Sequence, residues 1–340
     1  MPLEARAAEV TAKLNWCLSS AARAGVMPEL KLYKCSFKLT SFSASVWQAD
    51  MLFGHLCWFI MRRDGAETLQ DLLERYAAGQ PPILISDGFP SDYLPRPLLP
   101  TSSIETDTHS IKGDRVDRER RTKQASDQPW LTLAEFNLLL RGQTIIPTLR
   151  EQVTTTITTQ KNQIDRLTNT AGGRAGQLYE MIQYAVPAVT TYWRVDDEYL
   201  TVVQEFLQDL SDTGYGKRKS VGYGQIETFD LQEFDGFEML PDSNGFVTLS
   251  RFVPAKHDPT DGFWKIIIKY GKLGEDLATS GNPFKNPLVQ IECGSCFRTN
   301  DAREWYGQLL GGVSVQQKVV HYAFAFPVSM KFHELKGNSA

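Results

Sequence analysis

Residues 214 to 224 read GYGKRKSVGYG, with four glycines, two tyrosines and three consecutive cations. Glycine lets a backbone approach a phosphate closely, and a turn of exposed N–H groups forms an anion-binding nest. Lys217, Arg218 and Lys219 supply charge, while Tyr215 and Tyr223 have ring faces for stacking on bases or for packing. Three uses compete for such a stretch: a nucleotide phosphate loop, a cradle for a nucleic-acid backbone, or a solvated turn. A P-loop needs G-x-x-x-x-G-K-[ST] after a strand and before a helix. Here Gly216-Lys217 is followed by Arg218, and the flanking patterns place a helix before the loop and a strand after it. A dinucleotide-binding turn fails on the same order. A plain turn explains the glycines but not three adjacent like charges. The favoured reading is a nucleic-acid cradle built from Gly214, Tyr215, Gly216, Lys217, Arg218, Lys219, Ser220, Gly222, Tyr223 and Gly224.

Other reactive side chains are sparse. The five histidines, His55, His109, His257, His321 and His333, are scattered and form no paired motif. His55 lies in an apolar helical stretch, where a satisfied core or interface histidine outweighs a general base. RNA cleavage needs a base near the 2′-OH and usually an acid opposite. Asp165 reads first as a partner of Arg166 or a turn cap rather than that acid. Cys293 and Cys296 form a C-x-x-C. Zinc needs a second ligand pair, and none lies nearby; a redox pair would sit at a helix start. Structural cysteines are the expectation. No spacing matches a metal carboxylate cluster, and no cofactor is called for.

The balance of 42% hydrophobic and 22% charged residues over 340 positions predicts packed domains, two by length. The net charge is −4, whereas a free-standing nucleic-acid binder is usually basic. A nucleic-acid role must therefore rest on a local patch or on a surface shared with partner subunits. The longest apolar run, residues 51 to 61, is too short to span a bilayer. The N-terminus lacks a signal-type apolar core, and five cysteines do not make a secreted disulfide scaffold. A cytoplasmic protein without membrane contact is expected.

The elements that must position the loop follow from periodicity. Residues 1 to 25 read as a short amphipathic helix. Leu32, Cys35, Phe37 and Leu39 suggest a strand with one shifted position. A broadly apolar helix follows over 46 to 65, then a shorter one over 68 to 80 and a strand leading into a proline-rich segment. Residues 112 to 127 carry mixed charges and read as a mobile loop or solvated helix, or else as a contact to a partner protein or RNA. Residues 130 to 143 read as a small helix. The β-branched run VTTTITT at 153 to 159, a polar tip, and LYEMIQYAVPAVTTYWRV make a long β-hairpin pattern. Leu200, Val203, Phe206, Leu207 and Leu210 recur at helical spacing directly before the glycine loop, and QIETFDL is a strand directly after it. A boundary is expected near 232 to 245. Beyond it lie several strand-like runs, with 275 to 281 and 302 to 310 as short helical or turn segments. EWYGQLLGG and HYAFAFPV carry aromatics of the kind enriched at subunit contacts, although core packing is their commoner fate.

Four stretches together carry a resemblance. GYGKRKSVGYGQI resembles the glycine-rich loop of the RAMP superfamily, the RNA-binding subunits of CRISPR effector complexes. FKLTSFSASVWQADMLFGHLCWFI is similar to the opening strand and first helix of the type III-A (Csm) subunit that caps the complex at the guide RNA 5′ end. KNQIDRLTNTAGGRAGQLYE is similar to that family's N-x-I-D-R-x-T segment. GSCFR followed by GGVSVQQKVVHYAFAFPV is similar to its C-terminal signature. The segment 1 to 27 and the charged stretch 112 to 127 depart from the pattern.

The resemblance implies an α+β fold of two ferredoxin-like (RRM-type) domains with a long β-hairpin thumb. It implies an N-terminal extension at 1–29, a first domain at 30–235 and a second at 240–335. Its implied partners are the crRNA through its 5′ tag, the large Cas10-type polymerase/cyclase subunit, the adjacent RAMP backbone subunit and, indirectly, target RNA. It implies no catalysis by this subunit. The alternative is a metal-independent RAMP-type endoribonuclease that processes precursor CRISPR RNA, since such enzymes use histidine. Asn162, Arg166, Thr168 and Arg174 at the hairpin tip are either a solvated loop or a thumb on guide RNA. Ser41, Ser43 and Trp47 at the first strand–helix junction are either a helix cap or staple, or a contact to a guide phosphate or base.

Overall fold

Strand β1 (Leu30–Leu39) buries Tyr33, Cys35 and Phe37 on one face, a strict two-residue alternation. The one shifted position expected in it lies at its end rather than between Leu32 and Cys35. Leu32 packs from the other face, and the irregularity falls at Lys38/Leu39. The computed structural model describes residues 29–100, 128–150, 153–162, 164 and 178–332, so the segment 1 to 27 and the insert 112 to 127 lie outside the described residues.

After β1 the chain forms α1 (Ala49–Arg63), α2 (Ala66–Ala77), β2 (Ile83–Ile85), β3 (Phe89–Pro90), β4 (Tyr93–Pro95), β5 (Trp130–Thr132) and α3 (Leu133–Leu140). It continues through β6 (Thr155–Asn162), β7 (Leu178–Ala185), β8 (Ala188–Asp196), α4 (Leu200–Thr213) and β9 (Ile226–Glu233). The main sheet has the order β2-β8-β1-β9 with antiparallel neighbours, and β3 adds to β8. The helices α1 and α4 each follow a sheet strand, so the loop after α4 emerges beside the loop after β1. Strands β6 and β7 pair from Thr155↔Ala185 to Asn162↔Leu178, the long hairpin expected from the β-branched run.

Helix α1 buries Ala49, Leu52, Phe53, Leu56, Phe59 and Ile60, a stripe at three- and four-residue spacing rather than an all-round apolar surface. Trp47 precedes the helix. The N-cap is Gln48 without a side-chain cap, so Ser41 and Ser43 do not cap α1. Asp87 does that work from a distance, its Oδ1 accepting from the Ala49 N–H at 2.9 Å.

The second half contains β10 (Gly245–Thr248), β11 (Gly262–Phe263), β12 (Ile266–Lys269), β13 (Leu288–Ile291), β14 (Cys296–Arg298), β15 (Tyr306–Leu310), β16 (His321–Ala325) and β17 (Pro327–Met330). Its sheets are β11-β14-β10-β17, β12-β13 and β15-β16, all antiparallel. Residues 306 to 310 are a strand rather than a helical turn. Tyr306 stacks on Phe246 at 4.1 Å, and pairing with β16 satisfies the backbone.

One hydrophobic cluster runs from Phe37, Leu52 and Trp193 into Val247, Tyr322 and Phe326. The Ile85 N–H donates to the Tyr322 hydroxyl at 3.0 Å, and Arg194 donates to the Glu304 and Pro327 carbonyls. The aromatics of EWYGQLLGG and HYAFAFPV thus belong largely to the protein's own core, with Tyr306, Tyr322, Phe324 and Phe326 all buried. One exposed apolar stripe lies on β12–β13. Trp264, Ile266, Ile268 and Tyr270 alternate along one face, with Val289 opposite Ile268.

Candidate nucleic-acid interface

The glycine loop begins where α4 ends at Gly214, whose N–H donates to the Leu210 carbonyl. The Tyr215 N–H donates to the Gly224 carbonyl at 2.9 Å, closing the loop at its neck. Gly224 is obligatory there: its φ is +64°, and a Cβ would lie 2.0 Å from the Tyr215 carbonyl oxygen. Gly222, at φ +90°, has open space around it and needs glycine for its backbone alone. The Gly224 N–H donates to the Phe42 carbonyl, and the Gln225 N–H donates to the Ser41 hydroxyl, so the neck is tied to the junction after β1.

Tyr215 faces inward. Its ring stacks on Trp47 at 4.0 Å and 16°, and both side chains are buried. Its hydroxyl accepts from the Gln48 N–H at 2.9 Å and donates to the Val46 carbonyl at 3.1 Å. Ser43 is buried too, its backbone exchanging hydrogen bonds with Tyr184 at the base of the hairpin. Tyr215, Trp47 and Ser43 therefore pack and position the loop, and Trp47 and Ser43 also line a cavity beside it. Tyr223 is half-buried, while Lys217, Arg218, Ser220, Val221 and Gly222 are exposed.

Two loop amides expected to face an anion are already engaged. The Gly216 N–H donates to His55 Nε2 at 3.3 Å, and the Lys217 N–H donates to the Ser45 hydroxyl at 3.1 Å. His55 is held down to about 4 by burial and by the nearby Lys219 charge, so the ring is neutral at pH 7. Nε2 accepts a hydrogen bond, so the ring proton sits on Nδ1. His55 is thus a fastening point for the loop.

The three cations have three different environments. Lys217 makes no ion pair among the described residues. The Arg218 guanidinium lies 5.3 Å from the centre of the Tyr179 ring on β7, a cation–π contact. Arg218 also sits at φ +60°, unusual for a residue with a Cβ. Lys219 pairs with Glu275 of the second half at 2.8 Å. Tyr179 is directly opposite Lys161, one step from Asn162. The fold therefore brings the glycine loop against the far end of the hairpin, where Asn162 is exposed. Arg166, Thr168 and Arg174 lie outside the described residues.

Behind this surface, a cavity of about 550 Å³ opens between Trp47, Asp87, Tyr184, Arg251, Lys265 and Glu292. A buried ionic group joins the halves nearby: Lys269 Nζ donates to Asp50 at 2.6 Å and to the Gln48 side chain. Cys293 and Cys296 are free thiols that burial pushes well up, as structural cysteines are. Sequence reasoning missed Ser45, Asp87, Tyr179, Lys269 and Glu275. Each acts across a long stretch of chain, and no local pattern marks such a contact.

No protein-family model matches the chain, and comparison with curated proteins finds no match either. Solved structures do match. A chain of a Csm1-Csm4 cassette crystallised with cA4 superposes with a TM-score of 0.56 at 19% identity, over 89% of this chain and 99% of that one. A chain of a Csm3-Csm4 subcomplex from the type III-A CRISPR-Cas interference complex gives 0.58 at 14% identity, over 89% and 100%. The chain shares its fold with these chains of the Csm1-Csm4 and Csm3-Csm4 assemblies. At these identities the likeness is one of fold. That shared fold is a mixed α/β layout with antiparallel sheets and few helices among the described residues. No helix among the described residues is long and apolar enough to cross a membrane.

Proposed function

We propose that this chain is a non-catalytic RNA-binding subunit of a type III-A CRISPR interference complex, working in the cytoplasm. It holds the 5′ tag of the crRNA and bridges a large Cas10-type subunit to the RAMP backbone, meeting target RNA only indirectly. The observation that carries this reading is the braced glycine loop. Its neck is fastened to the β1–α1 junction, while Lys217 and Arg218 project beside the end of the hairpin. A preorganised basic loop facing an exposed arm suits a sugar–phosphate backbone, which needs charge and shape rather than a code of side chains.

The strand order supports a ferredoxin-like reading of the first domain, 30 to 235, because β1-α1-β2 and β8-α4-β9 interleave as two βαβ halves. The hairpin between β2 and β8 is then the thumb, with Asn162 at the end of its paired strands and Arg166, Thr168 and Arg174 in the sequence that joins them. The second domain, 240 to 335, contributes assembly surface. Trp264, Ile266, Ile268 and Tyr270 are the exposed apolar stripe suited to a partner subunit. Partnerships with Csm1-like and Csm3-like chains are supported by the assemblies in which the similar folds were solved.

His55 argues against the endoribonuclease alternative. Its Nε2 is engaged by a backbone N–H, and the ring lies behind the loop. The test is co-purification: tagged protein should bring down short RNAs that share one 5′ sequence. Purified protein should bind repeat-derived RNA without cutting it. Metal-independent cleavage lost in His55→Ala would replace this reading with the nuclease.

A further inference from the structure

We infer that Glu275 holds a phosphate seat of the glycine loop closed, its carboxylate standing where an RNA phosphate would sit on Lys219. The inference rests on the RNA-binding reading above and assigns it a gate.

Three observations meet at this point. First, Lys219 and Glu275 pair at 2.8 Å, with both side chains largely but not fully covered. Second, the loop does not need this pair for its shape. Its neck is closed by Tyr215 and Gly224, its amides are held by His55 and Ser45, and Gln225 binds the Lys219 and Tyr223 carbonyls. Third, Glu275 is one of three described non-glycine residues with positive φ, at 49°. A residue kept in a sparsely populated backbone state is retained where the surroundings or a function require it. It opens a short 3-10 turn, Glu275–Thr279, reaching from the second half of the chain to the loop of the first.

The charges explain what the contact does. Glu275 faces Lys219, with the Arg62 charge and the neutral His55 ring close by, and the Lys219 hydrogen bond holds its carboxyl below the usual range. Arg62 itself also reaches Asp209 at 3.3 Å. A carboxylate in this cation-rich corner has the charge and the acceptor oxygens of a phosphate. It cancels Lys219 while leaving Lys217 and Arg218 outside. The loop then presents two cations to any passing polyanion, and Lys219 stays withheld from a bare RNA until Glu275 is moved away or neutralised. Weak, indiscriminate RNA binding is reduced, and occupancy of the loop is linked to movement of 275–279 in the second half.

The test is the salt dependence of binding of a fluorescent, repeat-derived single-stranded RNA to the full chain. Glu275→Gln should tighten binding about two- to fivefold, the worth of one partly exposed charge pair. It should also steepen the log–log salt slope by about 0.7, one added phosphate contact. Lys219→Ala combined with Glu275→Gln should return the slope to that of the parent. Thermal unfolding of each variant shows that the fold is kept. Weaker binding by a folded Glu275→Gln protein, or an unchanged slope, would make Glu275 a brace and overturn the gate. The parent protein reports separately on the underlying reading. If it shows no salt-dependent RNA binding, the RNA role falls, whereas clear parent binding with a flat Glu275→Gln response sinks the gate alone.

Discussion

The ring of Trp47, before helix α1, stacks on the ring of Tyr215, after helix α4, at 4.0 Å. This contact decides what the glycine loop can be. It anchors the loop by its first tyrosine, so the exposed part is Lys217, Arg218 and the turn from Ser220 to Gly222.

Tyr215→Phe keeps the stack and deletes the hydroxyl that serves the Gln48 N–H and the Val46 carbonyl. Leaving these groups unsatisfied in a buried place costs about 1–3 kcal/mol. Denaturant unfolding should show that loss. RNA affinity should fall with it, because the loop's anchor loosens. A variant as stable as the parent would show that the hydroxyl does not hold the loop.

The two outer cations should carry the charge-dependent affinity. Replacing Lys217 and Arg218 together by Ala should flatten the salt slope by up to about 1.4, or 0.7 per lost single-strand phosphate contact. Arg218→Lys should keep the charge and lose the planar contact with Tyr179. If the double variant leaves affinity and slope unchanged in a folded protein, the loop is only a turn.

Gly222 and Gly224 separate backbone strain from steric clash. Gly222→Ala forces a left-handed conformation in open space and should cost about 1–2 kcal/mol. Gly224→Ala adds the collision with the Tyr215 carbonyl, so its cost should be clearly larger. Equal melting temperatures for the two variants would contradict this geometry.

Acid pH probes His55. Its folded value of about 4 is below the ordinary 6.5, so the unfolded chain takes up the proton first. Stability from this group is full above pH 6.5 and is lost as pH falls towards 4. His55→Gln retains an acceptor for the Gly216 N–H without titrating. The stability of the parent relative to this variant should drop by about 1–3 kcal/mol between pH 6.5 and 4. Parallel pH profiles would mean that His55 is solvated. Glu135 acts lower: burial opposes ionisation, yet Arg150 and the Thr148 and Thr132 N–H groups hold it at about 2. Its contribution is therefore lost only below about pH 4.5.

The assembly surface can be tested without removing the second half. A chain cut near residue 238 would lose Val247, Tyr322 and Phe326 from the shared core, so its failure to assemble would say little about the surface. Ile268→Asp is more informative, since Ile268 is exposed on β12. It should leave the melting temperature within about 1 °C, as surface substitutions do, and abolish co-purification with the partner subunit. Unchanged assembly would move the contact elsewhere.

The sequence by itself determined the elements on either side of the loop. Alternation placed β1, the β-branched run placed the hairpin strand β6, and the spacing from Leu200 to Leu210 placed α4. The glycines marked GYGKRKSVGYG as a turn between a helix and a strand, and the adjacent cations motivate the anion-binding role proposed for it. These signals are local, because side-chain period and backbone sterics are properties of neighbouring residues. Only the tertiary structure decided what each loop residue faces. It turned Tyr215 inward onto Trp47, engaged the Gly216 N–H with His55, set Arg218 on Tyr179 and closed Lys219 with Glu275. It also buried the C-terminal aromatics and exposed the β12 stripe. An exposed and a buried tyrosine look alike in sequence. What separates them is which distant surface packs against them, and that is settled when the two halves close around one core.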